Sequence, residues 1–455
     1  MSDILNVLEP ATAEVLKQIP AGGVEETDEA VARAKAALPA WRKLTPAARA
    51  DAMRAIADKV EEHLDELSLL EARNAGKPLA SARGEISMVV ETFRYYSGMP
   101  QRLMGQTIPV AGGQAFTVRE PLGVIGLIVP WNFPLAIASW KMGPALAAGN
   151  TIVLKPADLT PLTAIRFGEL ALEAGIAPGV VNVVPGHGRV VGVRLSEHPD
   201  VAKIAFTGST EVGMEIARRA AGTIKRVTLE LGGKSANIVF ADADLEKAAA
   251  YAPFAVFDNA GQDCCARSRV LVEESAYDRF LDLLRPHVEN FKVGDPLDPN
   301  ANMGPLISAQ HREEVSSFLD DDDMDIAFRG SAPDGPGFWF APAVVCPHTP
   351  DSRSMREEIF GPIVAVVPFK DEAEAIQLAN DTIYGLSGSI WTTDGARALR
   401  VARGVDTGVM SINSNSSVRV GTPFGGVKQS GYGRELGPDA TDAYTEVKTI
   451  FYATE

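Results

Sequence analysis

From residue 122 onward the chain alternates short runs of branched apolar residues with helix-like stretches, and this alternation limits the fold more than any other feature. Segment 124–129 is a nearly continuous apolar run broken only by Gly126, the mark of a strand buried on both faces. Segments 151–154, 180–184, 204–206 and 227–231 repeat it, and Thr160-Pro161 opens a helix that Gly175 closes. Strand, helix, strand in succession implies right-handed crossovers and a parallel sheet. Ligands on such sheets sit beyond the carboxyl ends of the strands, so the loops there are where chemistry is sought. A second α/β unit is expected from about residue 232, with strands at 237–240, 269–272 and 363–369 and a helix at 372–379.

The first hundred residues read as helices. Thr45-Pro46 supplies an N-cap and a proline at the first helical position. Met53, Ile56, Val60, Leu64 and Leu67 then form one apolar stripe, stopped at Gly76-Lys77-Pro78. A second helix is expected over 86–96. The tail, 444–453, is rich in β-forming residues and has no evident partner in the unit before it.

Composition narrows the function. At about 150 residues per domain, 455 residues suggest roughly three folded units. Lys+Arg 43 against Asp+Glu 59 gives a net charge of −16, which opposes binding to nucleic acid or an anionic membrane. No apolar run approaches the ~18–20 residues of a membrane span, and no basic, apolar leader is visible, so a cytoplasmic protein is expected. The three cysteines, two of them adjacent, cannot build a disulfide framework. The six histidines are isolated, so no metal site is expected. The acidic run 320–323 lacks the alternating ligands of a calcium loop and reads as solvated.

Several segments could carry chemistry. Gly186-His187-Gly188 is a near-match to a dinucleotide fingerprint, but the third glycine falls at 192, one place late, and a glycine-rich turn explains it equally well. After the strand ending at Phe206, Gly208 lets a ligand approach the backbone, while Ser209 and Thr210 offer hydroxyls at a helix N-terminus, where phosphate is favoured. Cys264 follows Asn259-Ala260-Gly261-Gln262-Asp263, a polar loop more suited to a nucleophile than to an inert core thiol. Glu230, between Leu229 and Leu231, is a carboxylate whose apolar surroundings raise its pKa toward that of a general base. Asn132, directly after the first strand of the sheet, offers an amide to an oxyanion.

Taken together, these segments resemble the aldehyde dehydrogenase superfamily from about Glu9 to the C-terminus. Its pattern is matched by Pro130-Trp131-Asn132-Phe133-Pro134, Lys155-Pro156-Ala157-Asp158, 206–213, 229–234, Gly261-Gln262-Asp263-Cys264, Glu357-Glu358-Ile359-Phe360-Gly361-Pro362, Pro423-Phe424-Gly425-Gly426 and 431–437, in the family's order. The resemblance implies an α/β fold with a Rossmann-type cofactor domain (1–100 and 122–231), an α/β catalytic domain (232–429) and a β oligomerisation arm (101–121 and 430–455). It also implies NAD(P)-dependent oxidation of an aldehyde to the acid in a homodimer or homotetramer. In that reaction Cys264 attacks the aldehyde, Asn132 and the Cys264 N–H hold the oxyanion, hydride passes to nicotinamide, and Glu230 activates the water that releases the acid. Glu435 matches a carboxylate that relays protons from Glu230. The cofactor residues implied are Val129, Pro130, Trp131, Lys155, Asp158, Gly188, Phe206, Gly208, Ser209, Leu231, Glu358 and Phe360. Phe133, Trp140, Asp263 and Phe424 are placed in the substrate tunnel.

The departures bear on substrate and cofactor choice. Arg267 stands where the family often has Gly, Val418 where some members have an aromatic residue, and Asp158 where NAD-using members commonly have Glu. A carboxylate at 158 accepts from both ribose hydroxyls and repels a 2′-phosphate, so NAD is expected over NADP, a preference that Lys155 softens. Asp263 beside the nucleophile suits an amino-aldehyde, unless it turns away to pair with Arg267 or Arg269. The rival enzyme, a coenzyme A-acylating dehydrogenase, usually lacks the carboxylate seen at Glu230. A cysteine hydrolase would leave the nicotinamide segments unexplained. A non-catalytic binding or structural protein on the same fold would have no need to keep Cys264, Glu230 and Asn132 together.

Overall fold

The computed structural model describes residues 3–454. Its first large sheet has the spatial order Gly431–Tyr432, Arg226–Glu230, Val201–Thr207, Val124–Ile128, Thr151–Lys155, Val181–Val183. All neighbours are parallel except Gly431–Tyr432, which pairs antiparallel with Arg226–Glu230. Both Val124–Ile128 and Thr151–Lys155 are buried along their whole length, as their unbroken apolar runs require. The strand order reverses between Val124–Ile128 and Val201–Thr207, and the crevice beyond their carboxyl ends is where this kind of sheet binds ligands.

A second sheet runs Met324–Arg329, Ala343–Pro347, Ile363–Phe369, Arg269–Glu273, Ala236–Val239, Ser387–Trp391, Val409–Ile412. Only the edge strand Met324–Arg329 is antiparallel. Each of the two sheets has its own buried apolar core. Glu230 ends a strand of the first sheet, and Leu231–Ser235 carries the chain across to the second.

Two expectations are corrected. The chain opens on an antiparallel hairpin, Ile4–Glu9 with Glu14–Pro20, not on helices. Leu5 and Val7 alternate inward, a period of two that is short but real. The stripe through Met53 and Leu67 belongs to two helices, Pro46–Glu62 and Leu64–Ala75, because His63 leaves helical geometry at φ −106°, ψ 21°. Thr45 does cap the first, accepting from Ala48 N at 3.2 Å. The tail strand, Thr445–Ala453, finds no partner in the unit before it, as expected, and pairs antiparallel with Gly113–Pro121, which also pairs with Thr107–Val110. Among the described residues no helix is long and apolar enough to cross a membrane.

Candidate active site

The crevice at the strand-order reversal opens into a cavity of about 260 Å³. One wall is Pro130, Trp131 and Asn132, the segment that leaves Val124–Ile128. The facing wall is Thr207, Gly208 and Ser209, which leads into helix Thr210–Ala221. Ser209 caps that helix, its Oγ accepting from Val212 N at 3.4 Å. Leu231, Glu358 and Phe360 close the far side. Glu358 Oε1 accepts from Gly233 N at 2.9 Å. A Cβ on Gly232 would lie 2.3 Å from Glu358 Oε2, so only glycine lets this carboxylate approach. Trp131 meets the Phe360 ring edge to face at 5.3 Å. Burial pushes the Glu358 carboxyl up to about 7.

Cys264 lines this cavity and also a second one of about 310 Å³, so it stands where the two meet. Its loop is held in strained backbone, with Asn259, Ala260 and Gly261 successively at φ 51°, 57° and 72°. The strain is fixed by hydrogen bonds. Asn259 Nδ2 donates to the Asn132 carbonyl (3.0 Å) and the Gln262 carbonyl (3.1 Å), and Gln262 Oε1 accepts from Ile307 N at 2.8 Å. Asn132 Nδ2 donates to the Gln262 carbonyl at 2.9 Å, while its Oδ1 is buried without a partner. A Cβ on Gly233 would lie 2.3 Å from the Cys264 carbonyl, so the Gly232-Gly233 crossing is what lets the two sheets close on the thiol.

The electrostatics favour protonated resting groups. The Cys264 thiol is pushed up by the neighbouring Cys265 thiol, by burial, and by Glu230 and Asp263. Burial and then Glu435 push the Glu230 carboxyl up to about 8, and neither of its buried oxygens has a hydrogen-bond partner. Glu435 is ion-paired to Lys141, whose Nζ also donates to Thr207 Oγ1 at 2.7 Å. Lys141 is fully buried, and an isolated charge there would be costly. It pulls Glu230 back toward ionisation.

Not every expected cofactor residue meets in this cavity. Val129 and Phe206 are buried beneath it. Lys155, Asp158 and Gly188 lie outside its lining. Lys155 Nζ donates to Asp158 Oδ1 at 2.7 Å, and His187 Nδ1 lies 2.7 Å from Asp158 Oδ2. Gly188 begins a one-turn π-helix, Gly188–Gly192, so the near-match fingerprint forms a turn beside Asp158.

The second cavity gathers Phe133, Trp140, Asp263 and Phe424 with Cys264. Trp140 and Phe424 pack edge to face at 5.4 Å. Asp263 pairs with neither Arg267 nor Arg269, correcting that alternative: its Oδ1 accepts from Cys265 N at 2.8 Å. Arg267 is buried and spends its donors on the Gly388 and Cys265 carbonyls and on Ser389 and Ser417. Arg269 spends its own on the Lys234, Leu378 and Ala379 carbonyls. Val418 lines the same cavity.

Sequence reasoning overlooked Lys141 and Lys77. The signal for Lys141 was present: it is the single charged residue of helix Pro134–Ala147, every residue of which is buried. Lys77 Nζ donates to the Asn132 carbonyl at 2.6 Å and to both oxygens of Glu85 at 2.7 Å, and it sits 4.3 Å from the Phe133 ring centre.

Comparison with known proteins gives one consistent result. The profile of the Aldehyde dehydrogenase family matches residues 2–450. Phenylacetaldehyde dehydrogenase of Pseudomonas fluorescens is 43% identical over 99% of this chain and 92% of its own. Aminoaldehyde dehydrogenase 2 of Zea mays is 40% identical over 98% and 91%. The crystal structure of PnpE, from Pseudomonas sp. WBC-3, in complex with nicotinamide adenine dinucleotide superposes with a TM-score of 0.97 at 44% identity, covering 100% of this chain and 95% of that one.

Proposed function

The chain belongs to the aldehyde dehydrogenase family, and on that premise we propose that it oxidises an aldehyde to the carboxylic acid with NAD, using Cys264 as nucleophile. The observation that carries this reading is the position of Cys264 at the meeting point of two cavities, with the unpartnered Glu230 carboxyl against it. The first cavity fits NAD. Ser209 stands at a helix N-terminus for the pyrophosphate, Glu358 reaches in for a ribose, and Leu231 and Phe360 offer apolar faces for a ring. The Lys155–Asp158 pair holds the far ribose. A 2′-phosphate there meets the carboxylate, so NAD is preferred over NADP.

The chain's own residues divide the remaining work. The Cys264 thiol first passes its proton to the adjacent Glu230 carboxylate in its ionised form, which hands it onward before deacylation. The thiolate sulfur then bonds to the aldehyde carbon while the carbonyl π pair moves to oxygen as an oxyanion. Asn132 spends one amide N–H on Gln262 and has the other for that oxyanion, with the Cys264 N–H as second donor. Bound NAD supplies the hydride acceptor that converts the thiohemiacetal to a thioester. Glu230 takes a proton from water as its oxygen bonds to the thioester carbon, and the Cys264 thiolate leaves with the C–S electron pair. Glu435, tied to Lys141, receives that proton onward. Glu230 favours water over coenzyme A as acyl acceptor.

The same family resemblance supports dimers or dimers of dimers. Thr445–Ala453 is the outer strand of its three-stranded sheet, with Phe451 and Tyr452 exposed, and such an edge calls for a partner. A reactive free thiol fits a reducing compartment such as the cytoplasm. Replacement of Cys264 by Ser is expected to abolish NADH formation, and Cys265→Ser to retain most of it. The reverse pattern would place the nucleophile at Cys265.

A further inference from the structure

The second cavity has an acidic and aromatic far end that the reaction itself does not use. Helix Leu245–Phe257 presents Tyr251, Phe254 and, one step beyond its end, Asp258 at spacings of three and four, so all three fall on one face and line the cavity. Tyr251 is 52% and Phe254 55% exposed, a large aromatic area left open to solvent inside a concave wall. Asp258 is also solvent-exposed there. Its Oδ1 accepts only from the adjacent Asn259 N at 3.0 Å, and among the described residues no cation lies within ion-pair distance of it.

The charge count is unbalanced in one direction. Three carboxyl groups line the cavity, Glu85, Asp258 and Asp263. Two cations stand near them, and a third, Lys247, lies 5.9 Å over the Tyr251 ring on the side of helix Leu245–Phe257 that carries it. Lys77 is engaged by both Glu85 oxygens and the Asn132 carbonyl. Arg267 is fully committed to carbonyl and hydroxyl groups, and it and the Cys265 N–H draw on Asp263. Asp258 is therefore the carboxylate left without a partner.

Resting on the reading of Cys264 as an aldehyde-oxidising nucleophile, we infer that the substrate is an aldehyde whose far end carries an alkylammonium group, received by Asp258 between the Tyr251 and Phe254 rings. A carboxylate supplies the charge partner and the ring faces supply cation–π contact. Asp258, not Asp263, is the selector, because Asp263 is already held by the Cys265 backbone beside the reacting thiol.

The test is kcat/KM for a straight-chain ω-aminoaldehyde and for the uncharged alkanal of equal length, in the parent, Asp258→Asn, Asp263→Asn and Phe254→Ala. The parent is expected to favour the amine by about tenfold or more, the order of a desolvated cation–carboxylate and cation–π contact. Asp258→Asn should remove most of that preference, through a fall of about tenfold in kcat/KM for the amine. Asp263→Asn should keep the preference, and Phe254→Ala should weaken it. Should Asp258→Asn fail to fold, loss of the parent's preference in high salt, together with Phe254→Ala, decides the matter. A parent without preference, or an Asp258→Asn enzyme that keeps it, overturns the inference. Cys264-dependent oxidation of the alkanal in that case leaves the aldehyde reaction standing, whereas no oxidation of either aldehyde overturns that reaction itself.

Discussion

The Asn132 side-chain nitrogen donates a 2.9 Å hydrogen bond to the Gln262 carbonyl, two residues before Cys264. The bond ties the end of the first sheet's central strand to the nucleophile loop, and it fixes the direction of the second amide N–H. Asn132→Ala should lower kcat by about 10²–10³, the usual worth of one oxyanion donor. Substrate KM should change little. A loss confined to KM would mean that Asn132 binds substrate and does not stabilise charge in the transition state.

Glu230 acts as a base only when ionised, and burial followed by Glu435 pushes its carboxyl up to about 8. Steady-state kcat, where deacylation limits, should therefore rise with pH through about 8. Glu435→Gln removes the neighbouring negative charge, which lowers the Glu230 pKa and moves this limb to lower pH. The check is kcat against pH for the two proteins. A limb that stays in place means the Glu435 charge does not reach Glu230.

Thr445–Ala453 should hold subunits together through its free edge. A chain ending at Pro438 also strips Gly113–Pro121 of one neighbour, so it is expected to lose mass in light scattering or to aggregate. A truncated protein that stays soluble and active at unchanged mass contradicts the subunit contact.

The five parallel strands of the first sheet and three of the second were legible because burial on two faces leaves an unbroken apolar run, as in Val124–Ile128, whereas Met324–Arg329, Ala343–Pro347, Ser387–Trp391 and Val409–Ile412 of the second sheet were not anticipated. The opening hairpin was not, since only Leu5, Val7 and Ile19 point inward and so few positions carry no clear period. The break at His63 was hidden because the apolar stripe runs straight across it. Pairing of Thr445–Ala453 with Gly113–Pro121 joins distant parts of the chain, and no local pattern encodes that choice. In the site, Cys264, Glu230 and Asn132 were readable from their motifs. Asp258 was not, because its role depends on the phase of helix Leu245–Phe257 and on a cavity built from several loops.

The most direct measurement is the mass of the enzyme after Glu230→Gln meets aldehyde and NAD. With the base removed, the thioester should accumulate. A burst of about one NADH per site is expected, followed by a stall, with the acyl group on Cys264 in fragmentation spectra of its peptide in a Cys265→Ser background. Full steady-state turnover by this variant, or an acyl group absent from Cys264 after the burst, would contradict covalent oxidation at Cys264 with Glu230 as the deacylating base.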